Sequence, residues 1–156
     1  MRAVLQRVVA AQVAVDDQPV AEIGPGLLIY LAVGPGDDLA TAEHLAARLC
    51  SLRIFPDQSG RMNRSVLESQ GQALVISQFT LYADSRRGHR PSFLGAAPPE
   101  GARDLCRILA EELRRLGVGH VAEGSFGAHM RVSAVNDGPV TIVATSGEGP
   151  WDADCG

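Results

Sequence analysis

The chain has 156 residues, 46% of them hydrophobic and 21% charged, with a formal net charge of −4. That length and composition describe one folded domain with a real core and exclude a disordered chain. All 14 basic residues are arginine, which removes Schiff-base, P-loop-lysine and Ser-Lys chemistry, and the acidic balance argues against duplex DNA as a partner.

No apolar run approaches the roughly 18 residues of a membrane span. The apolar start, Met1 to Val15, is broken by Arg2, Gln6, Arg7 and Gln12 and lacks a signal-peptide cleavage site. A cytoplasmic protein without membrane contact is expected. Cys50, Cys106 and Cys155 have no metal-ligand spacing, and His44, His89, His120 and His129 form no ligand pair. Neither a metal, a disulfide nor a cofactor is expected.

Val4 to Val15 suits a first strand. Its odd face reads Leu5, Arg7, Val9, Ala11, Val13 and Val15, an apolar row containing one arginine. A guanidinium there either reaches water along the strand edge or holds a group rich in carbonyls. Val20 to Ile23 makes a short strand, and Gly24-Pro25-Gly26 breaks it before the buried run Leu27 to Val33. A helix follows, capped by Asp37 or Asp38, with an apolar stripe of Leu39, Ala42, Leu45, Ala46, Leu49 and Leu52. Arg53 to Phe55 is a short strand, residues 56–71 a polar loop, and Ala73 to Tyr82 the central strand.

Residues 83–97 read as a loop carrying Arg86, Arg87, His89 and Arg90. Pro98 and Pro99 open a second helix with the stripe Ala102, Leu105, Cys106, Leu109 and Leu113, stopped at Gly117. Val118 to Val121, Met130 to Val135 and Val140 to Thr145 read as strands, and residues 146–156 as a tail beyond a domain of residues 1–145. The class is α+β, a single domain with two main helices and about seven mostly antiparallel strands.

Two segments could carry chemistry. Ser77-Gln78-Phe79-Thr80-Leu81 ends the central strand, with Ser77 and Phe79 expected on one face and Gln78 and Thr80 on the other. Its plain reading is a strand end meeting solvent. Thr80 lacks the neighbouring base a nucleophile needs, whereas main-chain N–H groups near Phe79 and Thr80 could stabilise an oxyanion. Asn136-Asp137-Gly138-Pro139-Val140-Thr141 reads on its own as a turn between two strands. Arg86, Arg87 and Arg90 suit either a solvated face or the phosphates near an RNA end. Phe93 suits base stacking or packing, and Met130 a pocket wall or the core.

Together, from Met1 to about Thr145, these segments resemble the D-aminoacyl-tRNA deacylases. The resemblance implies a barrel-like homodimer that hydrolyses the ester of D-aminoacyl-tRNA, and of glycine mischarged on tRNA(Ala), without metal. It implies a pocket lined by Ser77, Gln78, Phe79, Thr80 and Met130. It further implies a cis Gly138–Pro139 bond, with Asn136 in the same motif, entering the partner's pocket and fixed with help from Arg7. An L side chain would then clash with that wall and a D side chain would not. Ser77-Gln78 matches the D-specific form, since a related L-alanine-specific group differs there. The tRNA ribose 2′-hydroxyl would position or activate water. A non-catalytic RNA binder and a generic esterase are the alternatives, the second lacking a Gly-x-Ser-x-Gly elbow.

Overall fold

The computed structural model describes residues 1–86 and 88–146. Strand β1 (Arg2–Val15) is the spine of the main sheet. Along one edge its first half pairs with β3 (Gly26–Ala32) and its second half with β2 (Gln18–Ile23). The whole of its other edge pairs with β8 (Arg131–Thr145), and all three pairings are antiparallel. Strand β3 then pairs in parallel with β6 (Gln72–Ser77), and β6 in parallel with β7 (Val121–Glu123). Each parallel pair needs a long crossover. Helix α1 (Leu39–Ser51) supplies the first and helix α2 (Pro99–Arg115) the second. A separate two-stranded hairpin joins β4 (Phe55–Pro56) to β5 (Met62–Arg64).

The sheet curls until it nearly closes. At the seam the His120 ring lies 3.2 Å from the Glu22 carbonyl, and Gly24 N–H donates to Gln72 Oε1 at 2.7 Å. A shallow depression lined by Glu22, Ile23, Gly24, Gln72 and His120 marks this seam. The curl divides the core in two. Leu5, Leu27, Ile29, Leu31 and Val75 pack against the helices, while Val8, Val13, Leu28, Leu74 and Ile76 fill the inner side. Strands β3 and β6 are therefore buried on both faces, which explains their unbroken apolar runs.

Helix α1 begins at a capping box. The Asp38 carboxylate accepts from Thr41 N–H at 2.9 Å while the Thr41 hydroxyl accepts from Asp38 N–H. Its buried face is Ala42, Leu45, Ala46, Leu49 and Cys50, and Leu39, included in the stripe by spacing, is exposed because the packed face begins one turn later. Helix α2 buries Cys106, Leu109, Ala110 and Leu113 and stops at Gly117, which takes φ +109. Burial raises the Cys50 thiol to about 11 and the Cys106 thiol to about 12, the latter helped by Glu123, so both are inert packing groups.

Several sequence expectations are corrected. The central strand stops at Ser77, where its partner β3 ends, and residues Phe79–Tyr82 form a 3₁₀ turn. The expected loop 56–71 contains β5, because the Asp57 carboxylate accepts from Ser59 and Arg61 N–H and folds the chain back. The strand expected at 118–121 begins at Val121, since Val118 N–H still caps the α2 carbonyl of Leu113. Residues 131–145 form one strand, not two joined by a turn. The alternation of β1 also breaks. Val9 is 50% exposed while Val8 is 1% exposed, because the ladder to β8 steps irregularly on both sides of Val8. Residues 147–156, the bulk of the expected tail, lie outside the described residues, as do Trp151 and Cys155.

A glycine pair gives a direct test of this packing. A Cβ on Gly26 would land on the Gln72 carbonyl oxygen and 2.6 Å from the Gln72 nitrogen, where β3 and β6 pair. Gly26→Ala should lower unfolding stability by about 1–3 kcal/mol or more, read by chemical denaturation. Gly101 lies in α2 with nothing within 4 Å of a built Cβ, so Gly101→Ala should raise stability by about 0.5–1 kcal/mol.

Candidate active site

Residues 77–82 leave the end of β6 in the 3₁₀ turn. Gln78 N–H donates to Leu31 O at 2.7 Å and holds the start of the segment to β3, and Leu81 N–H and Ala83 N–H close the turn onto Gln78 O and Thr80 O. The N–H groups of Phe79 and Thr80 take part in none of these bonds. The turn replaces the two-faced strand expected from sequence. Phe79 now projects outward at 58% exposed, and Ser77, Gln78 and Thr80 are half-buried beside it. The Gln78 side-chain amide donates to the Thr80 hydroxyl. That partner is an amide and not a base, so it orients the hydroxyl without activating it.

The turn is pinned from behind by β1. The Arg2 guanidinium donates to Leu81 O at 3.1 Å and lies 4.2 Å from the centre of the Tyr82 ring. Burial, reinforced by Asp37, raises the Tyr82 hydroxyl above its ordinary value, so it stays neutral.

The arginine-rich loop is closed at its base by two bonds between Asp84 and Ser92, at 2.8 and 2.9 Å. Arg86 turns back on Asp84 through Nε at 2.9 Å and Nη2 at 2.8 Å. Those bonds hold the Asp84 carboxyl well below the usual carboxylate range. Part of the Arg86 charge is thereby balanced within the loop, which its sequence did not reveal. Arg90 and His89 are exposed, and Arg87 lies outside the described residues. Phe93, 39% exposed, meets Phe79 edge-to-face with ring centres 5.3 Å apart, so the loop and the 3₁₀ turn present one aromatic pair. Met130 is half-buried against the inner core, its sulfur 2.8 Å from where a Cβ on Gly124 would stand.

The second segment sits in the middle of β8. Gln6 pairs with Thr141 and Val8 with Asn136, so residues 137–140 stand opposite Arg7 alone. Four residues facing one must leave the ladder, and Gly138 and Pro139 are exposed at the crest. The Gly138–Pro139 peptide is cis, and Gly138 takes φ +138. Arg7 fills the space beneath. It is 8% exposed, and it does not snorkel to water. Its Nε donates to Asp137 O at 3.1 Å and pairs with Asp137 Oδ2 at 2.9 Å, while Nη1 donates to Ile54 O at 2.5 Å. These are the carbonyl partners that an arginine on an apolar face requires, and here they belong to its own chain. Asp137 and Ile54 are the contributors that sequence reading missed. The signal was present in Arg7's need for acceptors, but not in where they would come from.

The structure does not bring the two segments together within one chain. The 77–82 turn is pinned at Arg2 and the crest at Arg7. Those residues are five apart on β1, about 17 Å along the strand, and on opposite faces of it.

Residues 4–145 match the family described as D-Tyr-tRNA(Tyr) deacylase. A D-aminoacyl-tRNA deacylase of Roseiflexus sp. (strain RS-1) is 60% identical, covering 94% of this chain and 94% of that protein. One from Thermomicrobium roseum is 58% identical over 95% and 96% of the two chains. Among solved structures, one titled c-Myc DNA Unwinding Element Binding Protein superposes with a TM-score of 0.89 at 37% identity, covering 95% of this chain and all of that one. A probable eukaryotic D-amino acid tRNA deacylase shares the fold, with a TM-score of 0.78 at 18% identity over 92% and 97% of the chains. A match of this extent, over the barrel and both segments, places the chain in the D-Tyr-tRNA(Tyr) deacylase family.

Proposed function

We propose that this chain hydrolyses the ester between a D-amino acid and the 3′ end of tRNA, and that between glycine and tRNA(Ala). It works as a homodimer in which Gly138 and Pro139 of one subunit complete the pocket of the other. The observation that carries this reading is where the two segments are anchored: on Arg2 and Arg7, which lie on opposite faces of β1 and about 17 Å apart along it, a placement unsuited to walling one small pocket within a chain. The exposed crest at Gly138-Pro139 is available to a second subunit instead.

In this reading the ester carbonyl is held by main-chain N–H groups of Phe79 and Thr80, with Ser77, Gln78 and Met130 bordering the aminoacyl group. Water adds to the carbonyl carbon, the tetrahedral oxyanion is stabilised by those donors, and collapse expels the ribose 3′-oxygen, which takes up a proton. The products are free amino acid and tRNA. The neighbouring 2′-hydroxyl positions or activates the water, since the protein offers Thr80 an amide in place of a base. Gly138-Pro139, with Asn136 at its root, stands against the α-carbon and excludes an L side chain by contact. Glycine has no side chain to exclude and is therefore a substrate. Arg86, Arg87 and Arg90 meet phosphates near the 3′ end, and Phe93 stacks on the terminal base.

Four outcomes test this. Thr80→Ala should lose about tenfold in kcat/KM through positioning, and tRNA ending in 2′-deoxyadenosine should lose far more. A loss of four orders of magnitude in Thr80→Ala, with the fold intact, would show a threonine nucleophile. Arg86→Ala combined with Arg90→Ala should raise KM for tRNA and flatten its salt dependence at nearly constant kcat. An unchanged salt slope would place this loop in plain solvent.

The chirality element is tested at Gly138. A Cβ there would lie 2.7 Å from Val140 N and 2.8 Å from Val140 Cγ2, at a φ that L residues rarely adopt. Gly138→Ala should move the crest and change the D/L ratio of kcat/KM by about tenfold or more, on the scale that small misplacements in an active site produce. An unchanged ratio in a folded variant would mean that handedness is read elsewhere.

A further inference from the structure

We infer that Asp137 is a positioning residue for chirality selection: its carboxylate holds Arg7 as a charged strut beneath the Gly138-Pro139 crest. This rests on the role proposed above for that crest. A guanidinium as enclosed as Arg7 is costly unless it is paired and hydrogen-bonded. Two of its contacts, to Asp137 O and Ile54 O, are neutral carbonyls. Among the described residues its counter-charge is the Asp137 carboxylate at 2.9 Å. Nε faces both the backbone oxygen and the side-chain oxygen of Asp137, so one donor grips the residue immediately before Gly138 at two points.

The strut spans from core to crest. Its Nη1 is fixed to the carbonyl of Ile54, a buried residue between α1 and β4, and its Nη2 lies 3.5 Å from where a Cβ on Gly138 would stand. The crest needs this support because residues 137–140 have left the ladder and have no β1 partner of their own. Removing the carboxylate leaves an enclosed cation held only by dipoles, which favours its withdrawal towards water. The crest would then lose its fixed height. Rejection by hard contact fails before binding does, because a displacement of about 1 Å is enough to admit a side chain that was excluded.

The experiment compares wild type, Asp137→Asn, Asp137→Ala, Arg7→Met, the Asp137→Ala/Arg7→Met double variant and Gly138→Ala. Each is assayed for kcat and KM on D- and L-tyrosyl-tRNA, with thermal melting as the check on folding. The expected result is a drop of about tenfold in the D/L ratio of kcat/KM for both Asp137 variants, arising mainly from gained L-cleavage, with little change in KM for tRNA. The double variant should match Arg7→Met within about twofold, since the two residues act as one unit. If Asp137→Ala does not fold, Asp137→Asn decides, because it is isosteric and keeps the backbone carbonyl contact. An unchanged ratio in the folded Asp137 variants, with Gly138→Ala altered, overturns the inference alone. So do effects that multiply in the double variant. An unchanged ratio in Gly138→Ala as well, or a wild type that does not distinguish D from L, overturns the reading of the crest and this inference with it.

Discussion

Strand β1 must satisfy hydrogen bonds on both edges over its whole length, and much of the fold follows from how it does so. One edge is shared between β3 and β2, so the sheet turns a corner where the first partner ends and the second begins. The other edge belongs to β8, which is one residue longer and carries four residues opposite Arg7. The excess has to leave the plane of the sheet. A buried arginine then becomes useful, because its fork reaches donors into a space where strand pairing supplies none. Replacing Arg7 by an aliphatic residue would fill volume but leave the carbonyls of Asp137 and Ile54 without their partner.

The 77–82 segment shows a different economy. It owes its position to the end of β3 and to Arg2 behind it, and its Gln78 amide is tied to the Thr80 hydroxyl. Among the described residues no group of three or more His, Cys, Asp or Glu gathers as a metal cluster would require. What the segment offers is directional main-chain groups on a 3₁₀ turn at the end of β6, an arrangement suited to holding a polar carbonyl. On the proposed reading the chemistry is shared with the substrate, whose vicinal hydroxyl supplies what the side chains do not.

The two crossover helices fix where these elements stand. Parallel strands β3 and β6 are covered on one face by α1 and α2 and on the other by the inner core, and so cannot slide without exposing one of the two. That rigidity is transmitted to both segments. The turn hangs directly from β6, and the crest rests through Arg7 on Ile54, just past α1. The arginine loop is closed by the Asp84–Ser92 bridge and by the Arg86–Asp84 ion pair, and Phe93 beyond it meets Phe79 of the turn.

The sequence by itself determined the two amphipathic helices with their caps, the long first strand, the doubly buried runs of β3 and β6, and the two polar segments as the places to look. Each of these is a local matter: helical spacing, a capping aspartate, an unbroken apolar run, a Gly-Pro pair. The resemblance carried by those segments also led to the family. Only the tertiary structure decided that the central strand stops at Ser77, because that end is set by where β3 runs out. Only it showed residues 131–145 as one strand, since a run of four residues opposite one is visible only against the partner it fails to match. It also decided that Val8 and not Val9 is buried, and that Arg7 finds its acceptors on Asp137 and Ile54, residues 130 and 47 positions away in the chain. An arginine in an apolar row announces that it needs partners. Which atoms answer depends on long-range register, and register is a property of pairs of strands that no single stretch of sequence contains.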